Sequence, residues 1–191
     1  MRVEKRGGFC YDWEKEEETT MIYVIAKLEK SARARLSWIQ SFAASFGIVP
    51  RPIYGHITLA ELGSREEIAP CRDALAEQEA FTVDFRTVEV LREEKAVAAL
   101  ADREGALEQL HSRLTDAADW TPCTVLLRDD VMDLNWVRMA MKEMFQPFTA
   151  RVERIEFMED GEIIDGMDLK GESACSFVNG SSLSGTTRRH S

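Results

Sequence analysis

Residues 54–62 read YGHITLAEL, that is Tyr54-Gly55-His56-Ile57-Thr58-Leu59-Ala60-Glu61-Leu62, and the reading of this stretch decides the fold. Side chains alternate between faces along a strand. Ile57 and Leu59 therefore share one face, while Tyr54, His56 and Thr58 line up on the other. The segment Ile53–Leu62 is predicted to be a strand, with its apolar face on the core and its polar stripe turned into a functional cleft. A histidine titrates near neutrality and can give or take a proton. A threonine hydroxyl donates to a phosphoryl oxygen without bringing negative charge. The pair suits phosphoester chemistry, but an isolated His-x-Thr is more commonly the exposed face of a half-buried strand, so context has to decide.

Working outward, Pro50 and Pro52 break the chain before this strand, and Gly47 is expected to cap a preceding helix in the left-handed conformation. That helix is predicted over Ser31–Phe46, with Leu36, Ile39, Ala43 and Phe46 on one stripe, after a strand over Met21–Leu28. Downstream, Ser64 with Glu67 fits a capping box for a helix to about Gln78, carrying Ile68, Cys71 and Leu75 inward. Strands are predicted over Phe81–Leu91 and Ala96–Leu100, joined by the charged turn Arg92–Lys95. A helix over about Arg103–Ala117 carries Leu107, Leu110, His111 and Leu114 on one side.

Trp120-Thr121-Pro122 then leads into a strand over Cys123–Leu127. The last elements are a helix over about Asp133–Phe145, striped by Leu134, Val137, Met141 and Met144, and a hairpin of Thr149–Met158 and Glu162–Leu169 around Glu159-Asp160-Gly161. The unit of helix, proline and strand occurs twice, ending once at His56 and once at Cys123, which points to an internal duplication. The fold class is α+β in a single domain over 21–170. Residues 1–20 form a charged extension, and the Ser/Gly/Thr-rich residues 171–191 are expected to stay disordered.

The 191 residues suffice for one core. The longest apolar runs, such as Met21–Ala26, fall far short of a membrane span. The charged N-terminus has no apolar signal region, so a cytoplasmic protein is expected. Cys10, Cys71, Cys123 and Cys175 are scattered without a Cys-x-x-Cys pair, which leaves them as reduced thiols with no zinc spacing. A net charge of −10 disfavours a long nucleic acid, whose affinity comes from cationic side chains on phosphates. It leaves room for a small phosphorylated ligand or a nucleic-acid end gripped locally. The acidic clusters at Glu14–Glu18 and Asp129–Asp133 lack a metal-site spacing.

The order of elements from Met21 to Lys170, the HITL segment at His56 and the Trp-x-Pro entry at Trp120–Pro122 resemble the two-histidine (2H) phosphoesterases, the 2′-5′ RNA ligase-like family. The resemblance implies a bilobal, pseudo-symmetric fold of mostly antiparallel sheets with flanking helices around a central cleft. Two His-x-Thr motifs there face one another and act on 2′,3′-cyclic or 2′-5′ phosphodiesters, one histidine as base and the other as acid, with no metal or cofactor. It assigns proton transfer to His56 and phosphate contact to Thr58.

The second motif is degenerate: Trp120-Thr121-Pro122-Cys123-Thr124-Val125 stands where Trp-x-Pro-His-x-Thr is expected. Thr124 is one residue out of place, and a one-residue step turns a side chain to the opposite face unless a bulge intervenes. Cys123 could supply a proton or a thiolate, but it is mostly thiol at neutral pH and its activation needs a nearby cation. Otherwise it is a small apolar filler beside Val125 and Leu127.

Tyr54, on the face of His56, is a candidate to stack on a base or sugar. Arg51 and Arg128 flank the two motif strands as the nearest cations to a bound phosphate. His111, on the apolar face of its helix, reads as a hydrogen-bonded structural histidine. The chain is thus expected to be a divergent phosphoesterase of a small nucleotide or RNA end, weakened by loss of its second pair. The alternatives are an inactive nucleotide-binding module or an interaction scaffold.

Overall fold

The computed structural model describes residues 21–47, 55–92, 94–117, 119–128 and 133–171. The expected extension, the Ser/Gly/Thr-rich tail from 172, the entry strand residues Ile53 and Tyr54, Arg51, and the side chains of Ala43 and Phe46 lie outside that set. The elements are β1 (Ile22–Leu28), α1 (Lys30–Ser41), β2 (His56–Leu62), α2 (Ile68–Leu75), β3 (Phe81–Leu91), β4 (Ala96–Ala101), α3 (Ala106–Leu114), β5 (Cys123–Arg128), α4 (Leu134–Met144), β6 (Phe148–Glu159) and β7 (Glu162–Asp168). All seven strands join one sheet through antiparallel ladders, in the order β2-β1-β6-β3-β4-β5, with β7 also paired to β6. The α+β class holds, with one continuous sheet serving both halves.

Local chemistry explains where elements end. The first helix stops at Ser41 and tightens into a 3-10 turn over Phe42–Phe46, and Gly47 follows at φ +77°. A residue with no Cβ adopts that left-handed angle at no steric cost. The expected capping box does not form: the Ser64 hydroxyl reaches the Glu67 carboxylate at 3.4 Å, and Ser64 makes no side-chain bond to a backbone amide. A 3-10 turn over Arg65–Glu67 leads instead into α2, with Pro70 in its first turn, where a missing N–H costs nothing. Asp133 caps α4 by accepting from the Asn135 amide at 3.0 Å.

The sheet repeats itself about a pseudo-two-fold axis. The central pair β3/β6 runs Phe81↔Val152, Val83↔Ala150 and Phe85↔Phe148, a register unchanged when the two strands are exchanged. In the first half Lys27 lies opposite His56 and Ile25 opposite Thr58. In the second, Leu100 lies opposite Cys123 and Ala98 opposite Val125. Both pairings slip at the corresponding place, between Val24 and Ile25 and between Val97 and Ala98. The duplication read in the sequence is therefore written into the backbone pairing.

Each slip is a β-bulge, an extra residue on the outer strand that opposes no partner of its own. It frees a carbonyl at Leu59 and another at Leu126, and buried carbonyls must be paired. Each receives a buried side chain from the helix of the opposite half. His111 of α3 hydrogen-bonds the Leu59 carbonyl through Nδ1 at 2.7 Å, and Gln40 of α1 donates to the Leu126 carbonyl at 2.7 Å. The two halves are thus cross-stitched beneath the cleft. The core holds Ile22, Val24, Ala26, Leu36, Ile39, Ile57 and Leu59 from the first half and Val97, Ala99, Leu107, Leu110 and Leu126 from the second. No helix among the described residues is long and apolar enough to cross a membrane.

Candidate active site

His56 and Thr58 project from β2 on the face opposite the buried Ile57 and Leu59, so the alternation read from the sequence holds at these positions. It then breaks. The bulge puts Leu59 and Ala60 both toward the core, and Glu61 rather than Ala60 returns to the face of His56. The same burial sequence recurs on β5, where Leu126 and Leu127 are buried and Arg128 is exposed. Cys123, Val125 and Arg128 are thereby the pseudo-symmetric mates of His56, Thr58 and Glu61.

All six line one cleft of about 1130 Å³ between the halves. Tyr23 and Met158 extend its wall in the first half, and Leu91, Arg92, Glu94 and Trp120 extend it in the second. Of the sequence-selected residues, the fold brings together His56, Thr58, Cys123 and Arg128, whereas Arg51 and Tyr54 lie outside the described residues. Tyr23, Glu61 and Met158 were not legible as site residues. Their place depends on cross-strand register and on the bulge, neither of which leaves a mark in a single segment.

Gly55 sets the entry to the motif. Its φ is +70°, and a Cβ there would meet the Arg33 side chain at 2.5 Å, so both the backbone angle and the space require glycine. The other end of the motif is tied across the cleft floor. The Thr124 hydroxyl donates to the His56 carbonyl at 2.8 Å, and the Trp120 indole donates to the Thr58 carbonyl at 2.9 Å. These bonds satisfy carbonyls that the edge strand β2 would otherwise leave open, and they bring β5 against β2. Thr124 itself is buried, on the face away from Cys123.

Electrostatics divide the two halves. Burial pushes the His56 imidazole down to about 4, with the Glu156 carboxylate pulling it partly back up. The ring is therefore neutral at pH 7, which is the form a general base needs. Glu156 is buried on the motif's own face of the sheet, in the row of Thr58 and Ile25, and is held by Lys27 at 2.8 Å and by Arg154 at 3.0 Å.

Burial lifts the Cys123 thiol to about 11, with Glu94 adding to the rise and Arg128 opposing it. The thiol form therefore dominates at neutral pH. Arg128 extends to Glu94 at 3.0 Å, which offsets much of its charge toward an anion in the cleft.

His111 does not reach the cleft. It is buried, with Nδ1 on the Leu59 carbonyl and Nε2 on the Ala117 carbonyl at 2.9 Å, and its ring stacks on Trp120 at 4.0 Å between centroids. It carries structure and seats Trp120. No group of three or more His, Cys, Asp or Glu among the described residues is arranged to hold a metal ion.

Neither a family model nor a curated protein matches the sequence. Solved structures match the fold. E. coli LigT complexed with 3′-AMP aligns at a TM-score of 0.55 and 19% identity, over 80% of this chain and 99% of that one. LigT complexed with ATP aligns at 0.55 and 18%, over 79% and 98%. A further phosphoesterase crystal structure aligns at 0.53 and 17%, over 79% and 99%. The architecture of this chain is the LigT-like α+β fold.

Proposed function

We propose that this chain is a divergent 2H phosphoesterase. Its cleft takes a small nucleotide or RNA end through a cyclic or 2′-5′ phosphodiester, with the chemistry concentrated on the first half-site. The observation that carries the reading is the pairing of His56 and Cys123 as pseudo-symmetric mates within one cleft. His56, neutral and half-buried, is the proton acceptor for an attacking water or hydroxyl. Thr58, one step along the same face, donates to a phosphoryl oxygen.

The second half has no hydroxyl to match Thr58, because Val125 stands there. Its thiol is a much weaker acid than an imidazolium. Losing one proton-transfer partner costs about 10² to 10⁴ in rate, so turnover is slow. The ligands in crystal structures of fold relatives, 3′-AMP and ATP, are of the same chemical class.

A second reading, a nucleotide-binding module without turnover, draws on the same disarmed half-site. One experiment separates the two. Purified protein is assayed against 2′,3′-cyclic nucleotides and 2′-5′ dinucleotides beside His56→Ala, with melting temperature followed in parallel. Turnover above the His56→Ala background supports the enzyme. A ligand-dependent rise in melting temperature that is lost in Thr58→Val, without turnover, supports the binding module. The absence of both responses overturns the cleft as a nucleotide site.

A further inference from the structure

The cleft face of the first half continues past Thr58. Across the sheet, Glu61 lies opposite Tyr23, and Tyr23 opposite Met158, and all three line the cleft with His56 and Thr58. Thr58 is opposite Ile25, and Tyr23 is two residues further along β1, so this row lies about 6.6 Å from the Thr58 row. That separation is of the order of the span from a nucleoside's 2′ and 3′ oxygens to its base.

The row also breaks the internal symmetry. The mates of Tyr23, Met158 and Glu61 are Ala96, Leu91 and Arg128, so this row carries a ring in the first half and none in the second, where the cleft's aromatic residue is Trp120, outside the row. Among the described residues, neither the Tyr23 hydroxyl nor the Glu61 carboxylate is engaged in a hydrogen bond or ion pair, whereas Arg128 is held by Glu94 and Lys27 by Glu156.

We infer that Tyr23, Met158 and Glu61 form a nucleobase subsite that selects guanine. This rests on the reading of the cleft as a nucleotide site and names its preferred base. Tyr23 offers an aromatic face on which any base stacks, and the Met158 thioether packs well beside an aromatic ring. Glu61 excludes a phosphate from this row by charge and favours a neutral group rich in donors. An ionised carboxylate only accepts hydrogen bonds, and its two oxygens take a pair of parallel donors.

Guanine presents such a pair, N1–H and the exocyclic amine, on one edge. Adenine and cytosine set an acceptor nitrogen beside their amine, and uracil flanks its single N–H with two carbonyls. Each of these places a lone pair against the carboxylate.

The test measures binding of guanosine 3′-monophosphate and adenosine 3′-monophosphate to the full chain by calorimetry. The expected preference for guanosine is on the order of 5- to 150-fold, the usual worth of a bidentate base contact, and it falls to within about two-fold in Glu61→Gln. Tyr23→Ala weakens both nucleotides by a similar factor of about 5 to 150, and Tyr23→Phe restores them. Equal affinities in the unmodified protein, or a preference untouched by Glu61→Gln, overturn the guanine assignment while leaving the cleft reading intact. Loss of all binding, or binding indifferent to Thr58→Val, overturns both.

Discussion

The Thr124 hydroxyl donates to the backbone carbonyl of His56 at 2.8 Å, so a residue of the degenerate second motif holds the histidine of the intact first one in place. Thr124→Val keeps the shape and removes the donor, leaving a partly buried carbonyl unpaired at a cost of about 1–3 kcal/mol. Urea denaturation should show the loss, and Thr124→Ser should recover most of it. If the valine variant matches the parent in stability, the bond is not holding the two strands together.

The cross-stitching at the bulges makes a second expectation. Gln40→Leu strands the Leu126 carbonyl and should cost about 1–3 kcal/mol. His111→Leu strands the buried Leu59 carbonyl and also removes the ring stacked on Trp120, so it should cost more. Trp120 fluorescence, read alongside the melt, should shift in the His111 variant and not in the Gln40 variant.

The buried carboxylate beside the motif is a third point of leverage. Glu156→Gln removes the charge that Lys27 and Arg154 share; both cations remain partly solvated and Arg154 keeps Asp168, so the loss should be about the 1.5–3 kcal/mol of a charge-assisted hydrogen bond or less. It also removes a carboxylate charge that raises the His56 pKa. The His56 imidazole, followed by NMR titration, should therefore protonate at a lower pH in the variant than in the parent. An unchanged or higher value would remove Glu156 from the electrostatics of the site.

His56 also makes stability depend on pH. Its folded pKa, about 4, lies below the ordinary 6.5, so the unfolded chain takes up this proton first as acid is added. The contribution is fully present above about pH 6.5 and is lost as pH falls toward 4, to a total of roughly 3 kcal/mol. Denaturation of the parent and of His56→Gln at pH 7 and pH 4 should show the parent losing more by about that amount. The acid limb of any turnover should fall near pH 4 in place of pH 6.5.

Rearming the second half-site is the functional counterpart. Cys123→His with Val125→Thr puts an imidazole and a hydroxyl on the face of β5 that mirrors His56 and Thr58. Turnover of a 2′,3′-cyclic nucleotide should rise by about 10²-fold or more over the parent. A stable double variant with no gain would mean that the two half-sites are not set for one phosphate.

Much of this was readable from residue order. The alternation in His56-Ile57-Thr58-Leu59 set that strand's core and cleft faces because strand geometry has a period of two. The resemblance carried by HITL and Trp-x-Pro pointed to the fold that the structure then displays. Glu61 escaped because the bulge after Thr58 advances the strand by one residue, and a bulge is a property of two strands paired together. The shortened second helix escaped because the Ser64 hydroxyl turned to the Glu67 side chain in place of a backbone amide.

What the sequence determined by itself was local: which residues alternate, where the chain must turn, and that His56 and Thr58 stand together on one polar face. Tertiary structure alone decided that Cys123 faces the same cleft as His56, that Thr124 is committed to the His56 carbonyl, and that Tyr23, Glu61 and Met158 form one row of the wall. The reason is physical. Alternation and backbone angles act between near neighbours and are written in their order, whereas register, burial and the resulting fall in the His56 pKa come from strands far apart in sequence meeting across the sheet.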